Sequence, residues 1–229
     1  MIVGRGLLAE AFRARYQDDE SVIILASGVS NSSETDEGEF ERENELLKAN
    51  LLRDHTRFVY FSSCVVGFDH LPPSPYVRHK ARMEALVLDR PGGFVFRLPQ
   101  VVGRTSNPNT LTNYLASHII DGLDFTIYDG AERNLVDIDD IALIVPELLA
   151  DPANERRSTV IAARHPVAVT KLVSMLEELL GKRGRVRIVP RREAFQVDAT
   201  AAWKVADRLG LGLDAGDHYA RKVLQKYYG

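Results

Sequence analysis

The chain has a single cysteine, Cys64. One thiol excludes an intramolecular disulfide and a cysteine-built zinc cluster. Its six histidines show no metal-binding spacing, so no metal is expected. An excess of charge of one sign is also missing. The 29 Lys plus Arg and 32 Asp plus Glu leave a formal net charge of −3, which argues against a nucleic-acid partner held by bulk charge. The apolar runs, such as Ser21–Ala26, are far shorter than a membrane span. The N-terminal Met-Ile-Val-Gly-Arg-Gly lacks the basic-then-apolar order of a signal peptide. No membrane partner is expected, and the expected compartment is the cytoplasm. With 45% hydrophobic and 27% charged residues, the chain can bury a core and keep a polar surface.

Short apolar runs alternate with helical patterns, the signature of an α/β chain with a mostly parallel sheet covered by helices. Strands are expected near Met1–Val3, Val22–Ala26, Arg57–Phe61, Gly93–Arg97, Phe125–Tyr128, Leu135–Ile138, Thr159–Ala162 and Val186–Val189. Helices are expected near Leu7–Tyr16, Glu39–Arg53, Pro75–Asp89, Leu111–Asp121, Asp139–Leu149, Lys171–Leu180, Thr200–Leu209 and His218–Lys226. From about Asn107 the alternation loosens. The expected organisation is a core over residues 1–106, with 133–162 returning to it, and a smaller lobe over 107–229. Asp151–Arg157 reads as a surface loop. The basic run Lys182–Arg192 reads as a solvated strand face rather than an anion site, because Val186, Ile188 and Val189 have strand-like spacing.

Gly4-Arg5-Gly6-Leu7-Leu8-Ala9 forms G-x-G-x-x-A between a short apolar strand and a helix. That is the context of a dinucleotide-binding turn: glycines admit a pyrophosphate, and the helix start offers free N–H groups. A tight turn without ligand fits the same residues. The acidic residue that normally holds the adenine ribose, about twenty positions on, is replaced by Ala26-Ser27-Gly28. Arg5 is a candidate for a 2′-phosphate, which would favour NADP, with a plain surface arginine as the alternative.

Ser74 and Pro75 open a helix as N-cap and first helical residue. Tyr76 and Lys80 then share one helical face. An ammonium beside a phenol stabilises the phenolate, which suits Tyr76 to general acid/base work. Upstream, Phe58-Val59-Tyr60-Phe61 reads as a buried strand ending in Ser62-Ser63. Hydroxyls at the C-terminal end of a parallel strand face the ligand crevice. Either serine can orient a reacting oxygen, with Ser63 favoured over Ser62. The plain alternative for both is loop capping.

Together these stretches resemble the short-chain dehydrogenase/reductase superfamily, in its extended branch of NAD(P)-dependent sugar-nucleotide epimerases, dehydratases and reductases. The resemblance covers most of the chain in order. Gly4–Ala9 is similar to the glycine turn, and Ile24–Gly28 to the strand ending in L-A-A that passes the nicotinamide ribose. Val59–Ser63 is similar to the strand ending at the catalytic Ser/Thr, and Tyr76 and Lys80 to Y-x-x-x-K. Phe96–Gly103 resembles R-x-x-x-V-Y-G, which borders nicotinamide and substrate, and Arg133–Asp140 resembles R-D-Y-I-H-V-x-D. The likeness is closest to a small subgroup associated with polysaccharide gene clusters.

The resemblance implies a Rossmann-like, doubly wound, mostly parallel sheet, shortened on the adenosine side, with a small C-terminal substrate lobe. It implies NAD or NADP as cofactor, held by Gly4, Arg5, Gly6, Leu7, Leu8, Ala26, Ser27, Gly28, Tyr76, Lys80, Leu98 and Pro99. It implies Tyr76 as acid/base, Lys80 as the group that lowers its pKa and holds the nicotinamide ribose, and Ser63 or Ser62 as the orienting hydroxyl. The substrate is a nucleotide sugar, with Arg133 on its diphosphate and Asn109 and Gln100 as further contacts. Keto-sugar reduction and epimerisation both fit. Dehydration fits less, because Cys64-Val65 follows Ser63 where dehydratases carry Asp-Glu. A homodimer is implied through the helices Glu39–Arg53 and Pro75–Asp89, with Leu46, Leu47, Leu51, Leu52, Met83, Leu86 and Val87 as its apolar face. The alternative is that these side chains cover the sheet. Arg97 is expected to brace loops, Cys64 to be an inert buried thiol, and Trp203, Tyr227 and Tyr228 to pack the C-terminal lobe. Two departures stand out: the shortened glycine turn, and Asp137 in place of the family histidine. The strands missing between the glycine turn and Val22 keep a rival open, a non-redox binding or regulatory protein that retained the fold.

Overall fold

The computed structural model describes residues 1–67, 73–151, 158–193 and 196–229. They form two compact units, Met1–Leu98 with Val145–Val160, and Pro99–Ile144 with Ile161–Gly229.

The first unit is built on a five-stranded sheet of β1 (Ile2–Val3), β2 (Val22–Leu25), β3 (Arg57–Ser63), β4 (Gly93–Leu98) and β8 (Ser158–Val160). They lie in that order and every neighbouring pair is parallel. All four residues of β2 are buried, as expected of a parallel strand covered on both faces. Helices α1 (Leu7–Tyr16), α2 (Glu37–Leu51) and α3 (Pro75–Leu88) cover it. Asp36 caps α2 by accepting from the Gly38 N–H at 2.8 Å. Ser74 caps α3 by accepting from the Val77 N–H at 3.3 Å, with Pro75 in its first turn.

The two sheet faces carry different helices. Leu47 of α2 and Met83 and Val87 of α3 pack with Ile23, Leu25, Phe58, Tyr60 and Val95. Each such buried apolar side chain contributes about 1.5–3 kcal/mol. Phe61 alternates with Tyr60 and points to the opposite face, where it stacks on Phe12 of α1 at 5.4 Å and meets Phe96 at 6.3 Å. Strands β1 to β4 advance in one direction, so crossovers over opposite faces have opposite hands. The β1–α1–β2 crossover therefore has the opposite hand to β2–α2–β3 and β3–α3–β4. Among the described residues no strand lies beyond β1, and the chain passes from α1 straight to β2.

The second unit holds a parallel pair, β5 (Gln100–Val102) and β7 (Leu135–Asp137), and a three-stranded sheet. In the latter, β6 (Asp124–Arg133) lies between the parallel β10 (Arg185–Glu193) and the antiparallel β9 (Val167–Ala168). Its helices are α4 (Leu111–Asp121), α6 (Val169–Leu180), α7 (Thr200–Leu209) and α8 (Asp217–Tyr228). Helix α5 (Ile138–Ala150) belongs to it as far as Ile144. Trp203 donates to the Ala162 carbonyl at 2.8 Å. Tyr227 donates to Asp137 at 2.6 Å, and Tyr228 to Asn113 at 2.6 Å. These three aromatic residues thus pack this unit, as the sequence suggests.

Several expectations change. The unit boundary expected near residue 106 falls at Leu98/Pro99, where proline, which has no N–H, interrupts the strand. The segment 133–162 does not return as a whole. Strand β7 pairs with β5 in the second unit, and only Val145–Val160 joins the first. The units are nearly equal in length rather than large and small. The apolar dimer face is overturned. Leu47, Met83 and Val87 are fully buried on the sheet, with Leu46, Leu51 and Leu86 packed beside them, and only Leu52 is exposed, at 87%. The expected loop Asp151–Arg157 lies, beyond Asp151, outside the described residues.

Candidate active site

Ligands of open α/β sheets bind where adjacent strands send their connections to opposite faces. Here that point lies between β1, which leads to α1, and β2, which leads to α2. The residues at these two strand ends are Gly4-Arg5-Gly6 and Ala26-Ser27-Gly28. Gly4 has φ +137°, and a Cβ on it would stand 2.4 Å from the Ala26 carbonyl oxygen. Only glycine permits this approach of the two loops. Gly6 is the N-cap of α1, exposed and without a side-chain cap. Nothing lies within 4 Å of the place its Cβ would take. Arg5 is exposed, and Leu7 and Leu8 are half-buried in the first turn.

Strand β3 runs through both serines. Ser62 is buried in register with Arg97, and its hydroxyl has no hydrogen-bond partner among the described residues. Ser63, in register with Leu98, is half-buried, and its side chain acts on the Tyr76 phenol to lower its pKa. Of the two serines, Ser63 is the one that acts on the Tyr76 phenol. Tyr76 packs with Val29, Phe40, Val65 and Val77.

Lys80 lies elsewhere than expected. It is 2% exposed, and its Nζ donates to Glu43 Oε1 at 2.9 Å and to the Tyr60 oxygen at 3.0 Å. Glu43, on α2, is fully buried and accepts three further hydrogen bonds. Tyr60 donates at 2.6 Å, the Val29 N–H at 2.7 Å, and His79 Nε2 at 2.9 Å. Gly28 lies over this pair, because a Cβ there would stand 2.6 Å from Glu43 Oε1 and 2.8 Å from Lys80 Nζ. Lys80 approaches the Tyr76 ring only to 5.8 Å from its centroid.

The electrostatics follow from these contacts. Burial raises the Glu43 pKa, but the hydrogen bond from His79, the Lys80 charge and the bonds from Tyr60 and Val29 outweigh it and bring the carboxyl down to about 2. Burial lowers Lys80 while Glu43 pulls it up. Tyr76 is pushed up to about 12 by burial. The Ser63 side chain works against this and the Glu43 charge adds to it. Lys80 is not among the groups that shift the Tyr76 phenol, and its ammonium is held by Glu43.

The remaining expected residues are placed as follows. Leu98 is buried and Pro99 half-buried. Arg97 forms a forked ion pair with the buried Glu84, its Nη2 2.6 Å from Oε2 and its Nε 3.0 Å from Oε1. Arg97 thus ties β4 to helix α3 rather than bracing loops. Cys64 is buried and its thiol is pushed up to about 12, chiefly by burial, so it is inert. In the second unit, Gln100 donates its backbone N–H to the Asn134 carbonyl at 3.0 Å. Asn109 is exposed, with its backbone N–H on Asn107 Oδ1 at 2.9 Å. Arg133 ends β6, half-buried, and Nη1 donates to the Glu132 carbonyl at 2.8 Å. Arg185, Arg187 and Arg191 of β10 are exposed, and Arg191 covers the Tyr128 ring at 4.8 Å.

Sequence reasoning missed two residues. Glu43 sits on the core-facing stripe Phe40–Glu43–Leu47 of α2, and a carboxylate in an apolar stripe is the signal that would have found it. Asn134 is buried and clamps Ala163, accepting from its N–H at 2.8 Å and donating to its carbonyl at 2.7 Å. No periodicity announces it.

No known family matches the chain, and no curated protein is similar to it. Solved structures are. The UDP-glucuronic acid 4-epimerase from Bacillus cereus, in complex with UDP-glucuronic acid and NAD, superposes with a TM-score of 0.68 at 18% identity, over 94% of this chain and 78% of that one. RMD from Pseudomonas aeruginosa, complexed with NADPH, gives 0.67 at 17% identity, over 98% and 86%. MoeE5 in complex with UDP-glucose and NAD gives 0.63 at 24% identity, over 89% and 80%. The chain is therefore an α/β protein with a parallel central sheet and the Rossmann-like fold of these structures. No helix among the described residues is long and apolar enough to cross a membrane.

Proposed function

We propose that the protein is an NAD(P)-dependent oxidoreductase or epimerase of the short-chain dehydrogenase type, acting on a nucleotide sugar in the cytoplasm, in glycan or polysaccharide precursor synthesis. The observation that carries this is the register that sets Ser63 at the C-terminal end of β3, the strand next to β2 and its crevice, with its side chain acting on the Tyr76 phenol. Three similar structures hold NAD or NADPH, and two of them a UDP-sugar.

The residues at the crevice fit a dinucleotide in part. Gly6 leaves open space at the N-terminus of α1, where backbone N–H groups suit a pyrophosphate. The Gly4–Ala26 approach shapes the adjoining loop. No carboxylate stands at the end of β2 for an adenine ribose, and β1 is the sheet edge. The nicotinamide, when bound, supplies or accepts the hydride at the sugar carbon. Ser63 orients the sugar oxygen and Tyr76 moves its proton. Arg133 and its guanidinium fork suit a diphosphate, with Asn109 and Gln100 as polar contacts. A homodimer would use the exposed faces of α2 and α3, where Glu41 and Glu45 offer acid and Arg78 and Arg82 offer base.

Calorimetric titration with NAD, NADH, NADP and NADPH tests the reading. Micromolar binding of one pair, followed by turnover that Tyr76→Phe abolishes, is the expected result. A folded protein that binds none of the four, with or without nucleotide sugars present, refutes it. The edge position of β1 favours a second reading, a non-redox binding protein with this fold, which that outcome would support.

A further inference from the structure

Doubly wound sheets that bind dinucleotides are built from two mononucleotide-binding halves, one on each side of the switch point. The half that opens with the glycine turn carries the adenosine, and it needs strands beyond the first. The segment between β1 and β2 holds one helix, α1, and no strand. Phe12 of α1 stacks on Phe61 of β3 at 5.4 Å. Helix α1 therefore lies over strands inward of β1 and does not lead to a strand outside it. Among the described residues Ile2 and Val3 of β1 pair on one side only, with Ile24 and Leu25 of β2.

The other half is whole. β2, β3 and β4 are parallel neighbours joined through α2 and α3, which is one complete βαβαβ unit. Near the C-terminal end of β3, Ser62 keeps a buried hydroxyl with no hydrogen-bond partner among the described residues. Such a group calls for a ligand or a water. The switch point is kept too, with open space where a Cβ of Gly6 would stand.

We infer that the crevice is built for a mononucleotide: it takes the nicotinamide nucleotide with its phosphate, and offers the adenosine of NAD or NADP no pocket of its own. This rests on the proposed nicotinamide chemistry and narrows the cofactor class. In a complete dinucleotide site, one ribose hydroxyl on a carboxylate raises affinity about tenfold to a hundredfold, and adenine burial adds to that. Here Ala26-Ser27-Gly28 supply no carboxylate, and the sheet ends at β1. The mononucleotide and the dinucleotide should then bind alike.

Calorimetric titration of the full chain compares reduced nicotinamide mononucleotide with the better bound of NADH and NADPH. The two dissociation constants are expected to agree within about fivefold, and excess adenosine is expected to displace neither ligand. Gly6→Asp shows where the phosphate sits. Its side chain enters open space at an N-cap, where aspartate is favoured, so the fold is kept. Its carboxylate repels the phosphate and should weaken both ligands by the same factor, about tenfold or more. A dinucleotide bound more than about fivefold tighter than the mononucleotide, displacement of it by adenosine, or a folded Gly6→Asp that does not weaken both ligands overturns the inference. Each of these leaves the nicotinamide reading standing. A folded wild type that binds neither the mononucleotide nor any dinucleotide overturns both.

Discussion

Replacing Gly4 by alanine probes the contact that shapes the crevice, and two costs can be worked out for it. Its φ of +137° is disfavoured for any residue with a Cβ, a strain of about 1–3 kcal/mol. The new methyl would also stand 2.4 Å from the Ala26 oxygen and 2.8 Å from its carbonyl carbon. Those atoms are backbone, pinned by the Ala26 N–H bond to the Val3 carbonyl at 2.8 Å, so relief requires β1 and β2 to separate. Overpacking of this kind costs about 1–3 kcal/mol. The sum, about 2–6 kcal/mol, is a large share of a typical total stability of about 5–15 kcal/mol. With a urea slope of about 3 kcal/mol per molar, the midpoint falls by about 1–2 M. Gly6→Ala is the control. Its Cβ meets nothing, and the exchange at an N-cap costs about 1 kcal/mol or less. The unfolding of the first unit is best followed by circular dichroism, because the single tryptophan, Trp203, lies in the second. A Gly4→Ala midpoint within about 0.3 M of wild type would refute the close-approach reasoning.

Acid stability depends on Glu43. Its pKa falls from 4.5 unfolded to about 2 folded, so its contribution is complete above about pH 4.5 and is lost as the pH drops toward 2. At about 1.4 kcal/mol per unit this amounts to about 3 kcal/mol. Urea midpoints measured at falling pH should drop through that window in wild type and much less in Glu43→Gln. Tyr219→Phe removes a buried hydroxyl that accepts from the Asp137 N–H at 3.0 Å and donates to Asp140 Oδ2 at 2.6 Å. A loss of about 1–3 kcal/mol is expected, read as increased amide exchange at the start of α5, and unchanged exchange there would count against it. Cys64 should resist a thiol reagent in the native protein and react fully in denaturant. Rapid native labelling would show the thiol is not buried.

The sequence alone determined what is local or periodic. Helices Leu7–Tyr16, Leu111–Asp121 and Thr200–Leu209 end where their patterns end, and the Ser74–Pro75 signal starts α3 at Pro75. The glycine turn, the serines ending β3 and the Tyr76–Lys80 spacing were legible because each depends on residues close in the chain. Only the tertiary structure decided what long-range contacts decide. The partner of Lys80 is 37 residues away, and a one-dimensional pattern shows that Tyr76 and Lys80 share a helix face, not where the ammonium is drawn. A buried carboxylate draws it more strongly than a ring does. The pairing of β5 with β7, the unit boundary at Pro99 and the opposite hand of β1–α1–β2 likewise arise from which strands find neighbours in space. The leucines of α2 show the same limit. Their periodicity marks an apolar face, but whether that face meets the sheet or a second copy is set by the packing of the whole unit.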